Sequence, residues 1–133
     1  MRLFGATRHA KAGLLILVGL ASAAAIAQEG YPLDGTWRGE RRIPGQPAAT
    51  VVVVMNWDGK EIQGLVNPGP RAYTLAGSSL EPRGWKVMLH GRNKAGDSLR
   101  IAGALSKIGE YHRELHGTLV EGGREYPLKL VRE

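Results

Sequence analysis

From Gly35 to the end of the chain, apolar and polar residues alternate in short runs, the period of strands with one buried face. Eight runs can be marked: Gly35–Arg42, Thr50–Trp57, Glu61–Asn67, Tyr73–Leu80, Trp85–Asn93, Ser98–Leu105, Glu114–Val120 and Tyr126–Arg132. Turn residues separate them: Asp58-Gly59 as a two-residue hairpin turn, Pro68-Gly69-Pro70, Lys94-Ala95-Gly96-Asp97 and Glu121-Gly122-Gly123. No stretch keeps a helical period for three turns, and Ser106–His112 fits one short helical turn at most. With connections this short, the expected fold is all-β: an antiparallel up-and-down meander.

Five of the runs carry a glycine in phase with their large apolar residues: Gly39, Gly64, Gly91, Gly103 and Gly117. Glycine inside a strand marks a sharp bend or a close approach, and bends on one face curl a sheet. The pattern therefore predicts an eight-stranded closed barrel rather than an open sandwich, since closure removes edge strands. Inward glycines would also leave room inside, and a barrel of this size can hold one small ligand. Thr50–Met55 (TVVVVM) is apolar on both faces, so a neighbouring segment or a second copy of the chain is expected over its outer side.

The opening Leu33-Asp34-Gly35-Thr36-Trp37 resembles the Gly-x-Trp that begins the calycin barrels: lipocalins, fatty-acid-binding proteins and avidins. In lipocalins that tryptophan lies beneath an arginine from the last strand, so the likeness implies Arg132 over Trp37, a cation–π contact worth about 1 kcal/mol. Gly84-Trp85-Lys86-Val87 is similar to a strand opening in avidins. Trp57 abuts a turn, and the later strands hold no tryptophan to close over biotin, so no biotin-binding residue is carried over.

The first 27 residues change the picture of charge and compartment. Arg2, Arg8 and Lys11 precede an apolar stretch, Ala12–Ala25, and Ala25-Ile26-Ala27 supplies the small residues of a cleavage site. This reads as a signal peptide, 1–27, followed by a single domain, 28–133, in the bacterial periplasm or outside the cell. After cleavage nothing would span a membrane, and 15 Lys+Arg would face 12 Asp+Glu, a net charge of +3. Spread over every strand, that charge is not a nucleic-acid footprint, which clusters on one face. The chain has no cysteine, which excludes disulfides, thiolate metal sites and a thiol nucleophile.

Little catalytic chemistry appears. The serines Ser78, Ser79, Ser98 and Ser106 stand in no nucleophile elbow, and Glu61, Glu114 and Glu125 fall at strand ends or on outer faces. His112-x-Glu114-x-His116 would share a face on a strand, but a structural metal site needs four fixed ligands, and neither a metal nor another cofactor is expected. The predicted inner face is Tyr73, Trp85, Val87, Leu89, Ile101, Leu115, Leu119, Tyr126 and Leu128. The expected function is an exported, non-catalytic binding protein holding a small, mostly apolar ligand inside the barrel, with Trp37, Tyr73, Trp85 and Tyr126 as the lining residues. The alternative is a cell-envelope interaction module with a solid core, binding a protein partner through its outer face, the valine strand or the stiff Ile43–Ala49 loop.

Overall fold

A computed structural model describes residues 30–133; the expected signal peptide lies outside the described residues. Nine strands follow one another: β1 Gly35–Arg41, β2 Ala49–Trp57, β3 Ile62–Val66, β4 Tyr73–Leu75, β5 Ser79–Glu81, β6 Lys86–Arg92, β7 Ser98–Ser106, β8 Glu114–Glu121 and β9 Arg124–Arg132. Every pairing is antiparallel, and two contacts turn the sheet into a ring, β4 with β6 and β1 with β9. The result is a closed antiparallel barrel of eight staves, because β4 and β5 are two halves of one stave.

That division was not expected in the run Tyr73–Leu80, and a β-bulge causes it. Leu75 pairs with Gly91 and Ser79 with Met88, so three residues on one side face two on the other. Ser78, 1% exposed, repairs the broken ladder with its side chain. Its Oγ accepts the His90 N–H at 2.9 Å and donates to the His90 carbonyl at 3.3 Å. Two smaller expectations also change. The turn between β2 and β3 spans Asp58–Glu61, because Asp58 Oδ1 accepts both the Lys60 and Glu61 amides. Ser106–His112 contains no helical turn; Ser106 ends β7, and a turn from Lys107 to Glu110 follows.

The predicted register holds. Val87, Leu89, Ile101, Leu115, Leu119 and Leu128 are all buried, and they join a single core of twenty buried apolar side chains that includes Trp37 and Trp57. In β2 the odd residues Val51, Val53 and Met55 point inward, while Val54 is 39% exposed on the outer face beside its register partner Leu65. The rim formed by the β1–β2, β3–β4, β6–β7 and β8–β9 connections is one end of the barrel. Residues 30–34 cover the other end, the base, where Leu33 is fully buried and accepts the Trp37 indole N–H at 2.8 Å.

The inward glycines close the barrel without opening it. A Cβ on Gly64 would lie 1.9 Å from the Val54 carbonyl oxygen, and one on Gly117 would lie 2.0 Å from that of Ala102. Neighbouring backbones press into these positions as the sheet bends, so the room expected from the missing side chains is already taken.

Candidate functional site

The four aromatic residues expected to line one cavity fall at opposite ends. Trp37 and Trp85 belong to the base. Trp37 is wholly buried, whereas Trp85 sits in the β5–β6 turn and meets the Tyr31 ring edge-on, with centroids 6.3 Å apart. Tyr73 and Tyr126 stand at the rim.

The arginine expected over Trp37 takes other partners. Arg132 is in register with Trp37, but its Nε donates to the Asp34 carbonyl at 2.8 Å and its guanidinium lies 5.0 Å from the centroid of the Tyr111 ring. Gly35, having no side chain, lets the Arg132 Nε occupy the space where a Cβ would stand. Trp37 is thus left beneath the 30–34 segment, and the cation–π contact passes to an exposed tyrosine.

At the rim, four inward side chains form a polar latch above the core. Glu121 on β8 pairs through Oε1 with Arg41 on β1, and its Oε2 accepts the Tyr73 hydroxyl at 2.7 Å. The Arg41 guanidinium also lies 5.1 Å from the centroid of the Tyr126 ring. Burial and the Glu121 carboxylate push the Tyr73 hydroxyl up to about 12. Arg41 and Glu121 were missed in the sequence, although alternation from Trp37 and from Leu119 already placed both on the inner face. Two buried donors make no hydrogen bond among the described residues, Arg41 Nε and Trp57 Nε1.

The histidines do not act together. His112 precedes β8, and its Nδ1 lies 2.8 Å from the Arg132 carbonyl. His116 bonds Glu114 at 2.8 Å, and with Lys107 and Lys129 it holds that carboxyl down at about 2. No group of three or more metal-binding side chains gathers among the described residues.

A concavity of about 890 Å³ joins the rim to the outer face, between Tyr73, Glu121 and Gly122 on one side and His90, Asp97 and Arg100 on the other. A second, about 350 Å³, lies across β6 and includes Leu65, Thr74, Arg92 and Lys94. Charge is unevenly matched around the barrel. Arg38 pairs with Glu133, Arg42 with Glu40 and Lys107 with Glu114, while Lys86 faces Glu81 in register. Arg71, Arg92, Lys94 and Arg100 form no ion pair among the described residues.

The fold and this rim define a small closed antiparallel barrel compatible with a calycin-like one. No family model matches the chain, and comparisons with curated proteins and with solved structures also give no match.

Proposed function

We propose that this chain is an exported, non-catalytic interaction module, built as a calycin-like barrel with a solid core and recognising its partner on the outside of the rim end. One observation carries the reading: the positions of Gly39, Gly64, Gly103 and Gly117 are filled by neighbouring backbone, that of Gly91 is closed by the Tyr73 side chain, and twenty apolar side chains pack the interior. A barrel this narrow fills with side chains. Its concavities lie at the rim and on the outer face, where polar and charged groups converge.

A second reading, a small ligand within the barrel, draws support from the Trp57 indole N–H, a buried donor with no partner among the described residues, in a residue only 3% exposed. Such groups are rare and call for an acceptor. Native against denaturing mass spectrometry of the purified protein separates the two. The interaction-module reading expects the bare chain mass in both conditions. A mass excess that disappears on denaturation overturns it in favour of the interior ligand.

A further inference from the structure

We infer that the outer face of β6 and β7 at the rim end is a binding site for an acidic polysaccharide, a chain bearing regularly spaced carboxylates among hydroxyls. His90 and Arg100 are direct cross-strand partners, and Arg92 is opposite Ser98 two positions further along the same face. Residues directly opposite on one face stand about 5 Å apart, and diagonal neighbours about 7–8 Å. Lys94 follows in the adjoining turn, and Arg71 lies in the β3–β4 connection, three residues before Thr74, the register partner of Arg92. All five are exposed.

Clustered cations repel one another, and among the described residues no ion pair relieves Arg71, Arg92, Lys94 or Arg100. Two acids are nearby: Asp97, whose carboxylate accepts the Asn93 side-chain amide at 3.2 Å, and Glu121 at the rim, which is already paired with Arg41. A positive face left without its own counter-charge is matched by an anionic partner.

The shape indicates a polymer. The two concavities flank Arg92, and their lining runs from Leu65 on β3 to Val120 on β8. Five strands at normal spacing make that path about 20 Å long. A single small anion would engage a fraction of it.

The lining chooses among polymers. No exposed aromatic ring stands on this face to stack a base. Tyr73 is buried with its hydroxyl engaged, and Tyr126 lies under Arg41. An acidic peptide would seek apolar side-chain pockets, and here Leu65, Pro70 and Ala72 supply them only at the β3 end of the path. Ser98, Asp97 and the glycine-rich turns at Gly96 and Gly122 offer hydrogen-bonding groups suited to hydroxyls.

This assignment rests on the surface-recognition reading, and its test separates the two. The protein, expressed and processed in a bacterial host, is titrated calorimetrically with polygalacturonate, neutral dextran, poly-glutamate and a mixed-sequence oligonucleotide. Salt is set at roughly 20 and 150 mM, to bring the Debye length from well above to near the spacing of the cations. The expected result is binding of polygalacturonate but not dextran, weakened by salt. The double variant R92Q/R100Q weakens it about tenfold with an unchanged melting temperature. K60Q/R83Q removes the same charge from the base and leaves binding as it was.

Equal losses in both double variants, or no binding of polygalacturonate, overturn the site. Tighter binding of poly-glutamate or the oligonucleotide overturns the polysaccharide assignment while keeping surface recognition. A small molecule retained in native mass spectrometry overturns surface recognition by itself, whatever the titration gives.

Discussion

Gly103 and Gly117 stand directly opposite each other on β7 and β8, and their facing hydrogens mark one of the places where the barrel wall bends. A Cβ on Gly117 would come within 2.6 Å of the Gly103 Cα as well as striking the Ala102 carbonyl oxygen. Both obstacles are backbone and cannot rotate away. Gly117→Ala is therefore expected to cost more than about 3 kcal/mol, as strained core substitutions do. Gly109→Ala, where an added Cβ meets nothing within 4 Å, should stay within about 0.5 kcal/mol of the parent. Urea unfolding of both variants checks the contrast.

Ser78 offers a second measurable dependence. Its hydroxyl serves both the N–H and the carbonyl of His90 across the bulge, in a place closed to water. Ser78→Ala leaves the His90 N–H unserved, while the carbonyl keeps the Ala76 N–H at 2.9 Å, and is expected to cost about 1–3 kcal/mol. Ser79→Ala, one residue along and exposed, should be near neutral. A parent-like unfolding midpoint for Ser78→Ala would refute the bridging role.

The rim latch gives the barrel an alkaline weakness. Tyr73 ionises at about 12 in the fold against about 10 in a free chain. The folded protein thus keeps a proton that the unfolded chain has released between these values, and stability declines as pH rises from 10 through 12. Tyr73→Phe should remove this component of the decline. At neutral pH it should cost about 1 kcal/mol for the lost hydrogen bond to Glu121. Thermal melts of both proteins from pH 8 to 12 are the check.

Glu114 produces the opposite dependence at the acid end. Its carboxyl is held at about 2 by His116, Lys107 and Lys129, below the ordinary 4.5. Its contribution to stability is complete above 4.5 and is lost as pH falls through 2. In Glu114→Gln the melting temperature should drop less steeply over that interval. An identical acid profile in parent and variant would show that the cluster is electrostatically idle.

Strand positions were legible because alternation and turn chemistry agree. The inner face from Val87 to Leu128 follows from a period of two, and Trp37 sits in the core as its place in the first strand implied. The bulge at Ala76–Ser78 escaped notice because one extra residue leaves the composition of a run unchanged. Arg41 and Glu121 were passed over because charged residues near strand ends resemble solvated edges, and their convergence depends on β1 and β8 lying near each other through β9. The unmatched cations were hidden for the same reason. Which charge opposes which is a matter of register, and a count over the whole chain averages it away. The Arg132 contact was misassigned because a side chain that long can reach several rings, and Gly35 opens the way to Tyr111.

The barrel is sealed by β1 against β9, its first and last strands. Until Arg132 has joined the chain, β1 has one neighbour and the apolar interior has an open seam. The ring therefore cannot close before β9 has emerged. The strand at greatest hazard during that wait is β2, whose valines would readily pair with another chain. Its partner β3 follows it within a few residues and covers one edge early. Local hairpins can form as they appear, but the final step joins residues almost a hundred positions apart, and closures of such long range are slow. A truncation that removes β9 would leave the β1 edge unpaired.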